Sequence, residues 1–305
     1  MAKDSADPRF REIGQRLRAF RLGRRITPEE LAQRLGISRA AMYRAEKGHI
    51  AKIDALMRIG EVLGVPLPSL LGVGVEYVDT AVTFFERMRQ LEEHCQHIIV
   101  LFGPVSYLLT SDDYDAMLRE ALRESLPEGP SDRGPGLAAV DALMEILALR
   151  KHFYRSNRPS IVSLISSADL ERFLLHGLIG RHDLSPAAIK RRREHARSEV
   201  GQILRLIREQ PIGVQIGIVR EPIPATSFQI FRQKERSIVA ISPFRLGEQP
   251  NARVGVGLIT SAPDAAALHE SIVRRLWDAA LKGPAAANYV DGLIHRYGIR
   301  AEVAA

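Results

Sequence analysis

Apolar residues recur every three or four positions through the first 72 residues, which is the spacing of one face of a helix. Phe10, Ile13, Leu17 and Phe20 mark the first such face and predict a helix over residues 8–24. Further apolar positions at helical spacing are predicted to be core residues: Met42, Ala45, Leu56, Ile59, Leu63, Leu67 and Leu70. This part of the chain is therefore predicted to be an all-α domain.

Two short helices around a tight turn are predicted next. Thr27 can cap the first of them, and Glu30, three residues later, completes a capping box. Gly36 ends that helix because glycine takes the left-handed conformation without a steric penalty. Ser38 can cap the second helix, which spans residues 39–47. A helix, a glycine-containing turn and a capped helix together form a helix-turn-helix pattern.

The stretches TPEELAQRLGIS, AEKG and IDALMRIGEVLGVPLPSLL resemble the DNA-binding domain of the lambda-repressor-like (Xre) regulators. The resemblance covers residues 10–72 and implies a five-helix domain whose third helix enters the major groove. It implies base contacts from that helix and its cap by Ser38, Arg39, Ala40 and Tyr43. It also implies a structural ion pair between Arg21 and Glu46.

The chemistry of the groove distinguishes these side chains. Arg39 can bind a guanine through O6 and N7, a bidentate contact that contributes about 1–3 kcal/mol of discrimination. Ala40 can make only an apolar contact, for example with a thymine methyl group. Phosphate contacts, which position the protein without specifying sequence, are predicted for Thr27, Arg44, Lys47 and Lys52. A solvated surface charge is the alternative interpretation of each charged residue in that set.

The distribution of positive charge along the chain also favours DNA as the partner. Residues 1–72 hold 14 Lys and Arg against 8 Asp and Glu, so 6 of the 7 net positive charges lie there. Neutralisation of phosphates requires such an excess, and double-stranded DNA is the predicted partner. RNA or an anionic lipid is the alternative partner for a basic N-terminal part.

Residues 73–102 are predicted to be a hinge followed by one long helix. Gly72–Gly74 favours the hinge, and the helix is predicted over residues 76–101. Its apolar positions follow alternate spacings of three and four: Ala81, Phe84, Met88, Leu91, Cys95, Ile98 and Phe102. Such a seam is typical of a helix that pairs with a second copy, which predicts a homodimer. An amphipathic helix packed on the C-terminal part of the chain is an equal alternative.

The sequence EHCQH within this segment is a candidate metal site. His94 and His97 share a helical face, but two histidines and Cys95 rarely complete a tetrahedral shell on one helix. A core position for Cys95 is the favoured interpretation, and no metal or other cofactor is predicted. If the helix self-pairs in parallel, a disulfide between two copies of Cys95 becomes a further hypothesis.

Residues 103–305 are predicted to form an α/β domain with a mixed or mostly antiparallel sheet. Alternating apolar residues predict strands over Gly213–Val219, Ser227–Arg232, Ser237–Phe244 and Arg253–Thr260, and an apolar run predicts another over residues 160–165. A loop is predicted over the Pro- and Gly-rich residues 127–136. The fold class is thus multi-domain: helix-turn-helix domain (1–72), helical linker (73–102) and α/β domain (103–305).

The strand-strand-strand-helix run that ends in RRLWDAALKG resembles the phospholipase D-like sensor domains fused to some bacterial regulators. No His in the chain is followed two residues later by Lys, so the catalytic pattern of those enzymes is missing. The resemblance implies a ligand-sensing or dimerising role. A small-molecule effector is a candidate partner, with Arg155, Arg158, Arg232 and Arg245 as candidate lining cations.

A further cluster of cations lies at Lys190–Arg193, in the first turns of a predicted helix. Cations there oppose the helix dipole, so the cluster is either a solvated charged face or a site for an anion.

Other function classes find little support. The sequence has no Gly-x-Ser-x-Gly elbow, phosphate-binding loop or HExxH motif, so no enzyme is predicted. It also has no apolar run of about 18 residues, and its single cysteine fits a reducing cytoplasm.

The prediction is a cytoplasmic, bacterial, dimeric transcription regulator that binds a two-fold operator. The alternative is a metabolite-binding or enzymatic C-terminal module whose DNA-binding domain only autoregulates it. A third possibility, an antitoxin-like DNA-binding partner, is disfavoured by the long C-terminal domain.

Overall fold

An all-helical unit occupies the N-terminal end of the computed structural model, which describes residues 8–50 and 52–303. Its helices are α1 (Pro8–Gly23), α2 (Pro28–Leu35), α3 (Arg39–Glu46), α4 (Ile53–Leu63) and α5 (Leu67–Leu71). They enclose one apolar cluster that includes Leu17, Leu31, Met42 and Leu63. The predicted five-helix unit is confirmed, and the apolar periodicity explains it because each helix turns one face to this cluster.

A mixed seven-stranded sheet forms the centre of the described remainder of the chain. Its strands are β1 (Val75–Val78), β2 (His97–Leu101), β3 (Ser160–Ser166), β4 (Val214–Val219), β5 (Ser227–Arg232), β6 (Ser237–Ser242) and β7 (Gly257–Thr260). The strand order is β1-β7-β6-β5-β2-β3-β4. Strands β2, β3 and β4 pair in parallel, and every other pair is antiparallel.

Helices cover both faces of this sheet. They are α6 (Ala81–Glu92), α7 (Asp113–Glu124), α8 (Pro130–Asn157), α9 (Ser167–His176), α10 (Pro186–Glu209), α11 (Pro263–Ala279) and α12 (Gly283–Val303), with a short 3-10 helix at Tyr107–Leu109. One face packs on α11 through Val273 and Leu276. The other face packs on a larger cluster that includes residues of α6, α8 and α10. The multi-domain, α-then-α/β fold class predicted from the sequence is confirmed.

The single long helix predicted over residues 76–101 is wrong. The segment is instead strand, helix and strand: β1 pairs with β7, and β2 lies between β5 and β3 inside the sheet. A run such as Ile98–Leu101 is buried on both faces of a sheet, and periodicity alone does not separate it from a helix.

The apolar residues of the predicted dimer seam pack instead against other parts of the same chain. Phe84 and Met88 are fully buried in the chain's own core, and Ala81 and Leu91 are nearly so. The alternative interpretation, an amphipathic helix packed on the C-terminal part, describes α6 correctly.

Two smaller predictions also need correction. The predicted loop over residues 127–136 is replaced after Gly129 by α8, which Pro130 begins in the position where proline suits a helix. The predicted strand over residues 253–260 is shortened to β7, and Val254 and Val256 are exposed outside it.

The helical unit is attached to the sheet through buried charges. In α1, Arg16 Nε donates to Glu76 of β1 at 2.5 Å, and Arg87 of α6 donates to the same carboxylate at 2.9 and 3.0 Å. Gln90 of α6 donates to the carbonyl oxygen of Gln15 at 3.0 Å. At the predicted hinge Gly72 is closely packed, since a Cβ there would lie 2.2 Å from the Arg16 guanidinium carbon, whereas Val73 is exposed and a Cβ on Gly74 would meet nothing within 4 Å.

Candidate nucleic-acid interface

The local geometry of the helix-turn-helix follows the predicted caps. Glu30 N donates to Thr27 Oγ1 at 3.1 Å, and Thr27 N donates to Glu30 Oε2 at 2.7 Å, which completes the capping box. Gly36 takes the left-handed conformation with φ of 66°. Ser38 Oγ accepts from Ala41 N at 3.2 Å. These caps set where α3 begins and therefore which of its side chains face outward.

The inner face of α3 is held by close packing. Met42 is fully buried and Ala45 nearly so. A Cβ on Gly14 of α1 would lie 2.5 Å from the carbonyl oxygen of Glu46, so only glycine fits where α1 crosses the end of α3. Packing of the inner face therefore fixes the orientation of α3, and its opposite face is exposed and can meet a ligand.

The ion pair implied between Arg21 and Glu46 is present. Arg21 Nε donates to Glu46 Oε1 at 2.5 Å and a second guanidinium nitrogen donates to Oε2 at 3.2 Å. Arg21 also donates to the carbonyl oxygen of Ile26 at 2.8 Å. Both charged side chains are buried, so the pair ties α1 to the end of α3 and has a structural role.

The four predicted base-contacting residues lie together on the exposed side of the α3 N-terminus. Arg39 and Tyr43 are one helical turn apart, and the Arg39 guanidinium lies 5.4 Å from the centre of the Tyr43 ring. Ser38 and Ala40 flank Arg39 and are exposed. An exposed, N-terminal cluster on the second helix of the motif is the arrangement that reaches base edges in a major groove.

An acidic neighbour of this cluster was not foreseen from the sequence. Glu29, at the start of α2, forms an ion pair with Arg39, and the two side chains are 44% and 66% exposed. This ion pair joins the first turns of two different helices, so only the structure reveals it. The carboxylate of Glu29 therefore lies beside the guanidinium of Arg39 in this cluster.

The residues predicted to contact phosphates lie at or near the ends of α2, α3 and α4. Thr27 is exposed but its hydroxyl serves the α2 cap, whereas Arg44, Lys47 and Lys52 are exposed. Lys47 follows the last residue of α3, and Lys52 precedes the first residue of α4. Their contact with DNA stays a prediction, as do the four base contacts.

In the cation cluster at Lys190–Arg193, Lys190 and Arg191 are exposed, as expected of a solvated face, whereas the other two arginines are less exposed and make contacts within the chain. Arg192 is completely buried and forms ion pairs with Glu124 at 2.5 Å and Glu120 at 3.0 Å. Arg193 donates to the carbonyl oxygen of Leu175 at 2.6 Å. These two arginines join α10 to α7 and α9, so this part of the cluster has a structural role.

Cys95 and its histidines form no evident metal site. The described residues include no group of three or more His, Cys, Asp or Glu that could hold a metal ion. Cys95 Sγ donates to the carbonyl oxygen of Glu92 at 3.3 Å, and burial raises the pKa of its thiol to about 12. A thiol with that pKa is a poor nucleophile near neutral pH.

Comparison with known proteins agrees with the geometry of the N-terminal unit. Residues 12–71 match a protein-family model described as a helix-turn-helix domain. A comparison with curated proteins finds no match. The chain therefore carries a helix-turn-helix DNA-binding segment. Within that class the segment is of the lambda-repressor-like, or Xre, type.

In the part of the chain that the structure describes, no helix is both long and apolar enough to cross a membrane.

Proposed function

We propose that the protein is a sequence-specific transcription regulator that binds an operator through α3. The observation that carries the proposal is the exposed cluster of Ser38, Arg39, Ala40 and Tyr43 at the N-terminus of a helix whose other face is packed in place. Such a helix fits the width of a major groove and presents a guanidinium to guanine.

Affinity in this proposal comes mostly from charge. The N-terminal 72 residues hold 6 of the 7 net positive charges, and Lys and Arg release counterions when they neutralise phosphates. Binding is therefore expected to weaken steeply as salt concentration rises. Phosphate contacts from Arg44, Lys47 and Lys52 would set the register of α3 on the duplex.

We also propose that two copies act together on a two-fold operator. Helix α3 has only eight residues, so one copy reaches few base pairs, and a second linked copy multiplies affinity and specificity. Two recognition helices related by a two-fold axis require half-sites about 10–10.5 base pairs apart, or a multiple of that spacing.

For the remaining chain we propose a sensing or dimerising role rather than catalysis, because the motifs that indicate a function lie in the helix-turn-helix. A metabolite-binding or enzymatic module is the alternative, favoured by a cavity at one edge of the sheet. A regulator of this type works where the chromosome is, which in a bacterium is the cytoplasm.

Selection from a random-sequence DNA pool tests the proposal directly. The full chain should enrich one motif that consists of two inverted half-sites, spaced by about one helical turn. Arg39→Ala should change the enriched bases, whereas Arg274→Ala, on the exposed side of α11, should not. A pool that shows no enrichment over several rounds would contradict sequence-specific binding, and a single unrepeated half-site would contradict the two-fold arrangement.

A further inference from the structure

The loops at one edge of the sheet line a half-open cavity of about 750 Å³. Parallel strands β2, β3 and β4 all end at this edge, and antiparallel β5 begins there. The carboxyl ends of parallel strands are the usual place for a ligand in α/β sheets, since successive loops diverge there and leave a crevice. The volume lies within the range of pockets that hold small molecules.

Two glycines in the lining of the cavity are closely packed against neighbouring residues. A Cβ on Gly103, just after β2, would lie 2.0 Å from a carboxylate oxygen of Asp169 in α9. A Cβ on Gly247, in the loop after β6, would lie 2.2 Å from Pro104. Arg245 and Asn251 exchange two backbone hydrogen bonds of 2.9 Å, which hold that loop in place. The cavity is therefore a shaped part of the fold and not a gap between loose loops.

Three arginines line the cavity, and their charges are balanced unequally. Arg172 pairs with both Asp169 and Glu248, the latter at 3.1 Å. Arg220 and Arg245 are exposed, and neither makes an ion pair or a side-chain hydrogen bond with any residue of the described chain. Burial raises the pKa of the Asp169 carboxyl overall, although the positive charges of Arg172 and, to a smaller extent, Arg245 lower it.

The other wall is mostly apolar, although the exposed carboxylate of Glu221 also lines it next to Arg220. Pro222, Ile223 and Pro224, in the loop between β4 and β5, line the cavity beside Arg220. A guanidinium binds carboxylate or phosphate oxygens through parallel N–H groups. A ligand that satisfies both walls carries an anionic group at one end and an apolar body at the other.

The geometry points to a binding site at this edge for a small organic anion, held by Arg220 and Arg245 through a phosphate or carboxylate, with its apolar body against Pro222–Pro224. The ligand is the kind of effector that a sensing domain would take. The site stands apart from the DNA-binding proposal, because binding is measured on the full chain without DNA.

Thermal unfolding of the full chain tests this site with three matched probes at constant ionic strength: butyl phosphate, butyrate and butanol. A ligand that binds the folded state raises Tm in a saturable way. We expect such a rise with at least one of the two anions and none with butanol; which anion acts identifies the preferred group. Isothermal titration calorimetry with the same probes gives an independent reading of saturation.

The variants decide whether the cavity is responsible. Arg220→Ala with Arg245→Ala should abolish the rise in Tm, and Arg274→Ala, which removes an exposed arginine elsewhere, should leave it unchanged. Replacement of Arg220 and Arg245 by lysine should reduce but not abolish the rise, because the charge is kept and the bidentate geometry is lost. The inference is overturned if neither anion gives a saturable shift, or if the double alanine variant shifts as much as the wild type.

Discussion

Arg39 has two competing partners, Glu29 in the free protein and a base edge in a complex. An exposed ion pair contributes about 0–1 kcal/mol, whereas a bidentate contact with guanine contributes about 1–3 kcal/mol of discrimination. Both side chains are exposed, so the pair with Glu29 is of the weak kind. DNA should therefore displace Glu29 from Arg39 and not the reverse.

Replacement of Arg39 by alanine should remove discrimination at one base pair of each half-site, by about 1–3 kcal/mol, while non-specific binding persists. Fluorescence anisotropy with the operator and its single-base variants measures this loss. Lys47→Ala is the contrast, since a lost phosphate contact should weaken binding to all sequences and reduce the salt slope by about one. If Arg39→Ala keeps the full base preference, Arg39 is not a base-reading residue.

Replacement of Glu29 by glutamine should strengthen DNA binding. The change removes a negative charge near the phosphates and frees Arg39 without altering side-chain size. The same anisotropy titrations measure it, with Glu61→Gln as a control at an exposed carboxylate of α4. Weaker binding of the Glu29 variant would contradict this expectation and indicate that Glu29 orients Arg39 or accepts from a cytosine amino group.

At the residue scale, the sequence predicted the features that depend on neighbouring residues in the chain, such as helix caps. The caps at Thr27 and Ser38 place the starts of α2 and α3 correctly, and the start of α3 decides which of its side chains face outward. The contact between Glu29 and Arg39 was missed because it joins two helices, and its existence depends on how they cross. No spacing rule within one helix reveals such a pair.

The crossing of α1 and α3 is the feature of the helix-turn-helix that depends most on single atoms. A Cβ on Gly14 meets the carbonyl oxygens of Glu46 at 2.5 Å and Ala45 at 2.7 Å, and neither is the end of a flexible side chain. The backbone must shift to admit a methyl group there. Since the same contact orients α3, stability and DNA binding should change together.

Gly14→Ala should lower the free energy of unfolding by about 1–3 kcal/mol, the usual cost of overpacking. Gly201→Ala is the matched control, since it also lies inside a helix but a Cβ there meets nothing within 4 Å. That control should be neutral or stabilising by about 0.5–1 kcal/mol, as alanine favours helices. Chemical denaturation measures both, and equal effects of the two substitutions would contradict the steric account.

At the element scale, the sequence predicted the helical unit and most strands but failed between residues 76 and 101. The spacing of three and four is genuine within α6, and its extension through Ile98 and Phe102 is coincidental. Which strands run parallel was also beyond the sequence, because β3 and β4 are joined by more than 40 residues that include two helices. Pairing over such separations depends on tertiary packing.

The whole molecule is joined by a carboxylate that serves both of its parts. Glu76 of β1 is buried between Arg16 of the helical unit and Arg87 of α6. Burial by itself raises the pKa of that carboxyl, but the two guanidinium groups outweigh it and leave the pKa below the ordinary value. Loss of the carboxylate leaves two buried cations without their shared partner.

Glu76→Gln should therefore lower the free energy of unfolding by about 3–5 kcal/mol near neutral pH, the usual cost of breaking a buried ion pair. Because the native pKa is depressed, the stability from Glu76 is present above its unfolded pKa of about 4.3 and is lost as pH falls through the native value. The difference in the free energy of unfolding between wild type and variant should therefore become smaller as pH falls. Chemical denaturation of both proteins between about pH 7 and pH 3 measures this difference. A difference that stays constant over that range would contradict the depressed native pKa of Glu76.

At the scale of the whole molecule, the sequence predicted where the positive charge lies but not how the parts join. Arg16 lies outside the apolar face predicted for the first helix, yet it is buried against a residue 60 positions away. An ion pair of that separation leaves no local pattern. The cavity at the carboxyl edge was likewise only partly foreseen, through Arg245; Arg155 and Arg232 pair with Asp112 and Glu270 instead.

The most direct test of the central claim is the ratio of affinities for the selected operator and for scrambled DNA of the same length. Fluorescence anisotropy of the full chain at about 150 mM salt gives both dissociation constants under conditions where non-specific binding is weak. Sequence-specific regulation through α3 predicts a ratio of at least about 1,000, lost to a large extent in Arg39→Ala. A ratio near one in the wild type, with both affinities falling equally as salt rises, would contradict it.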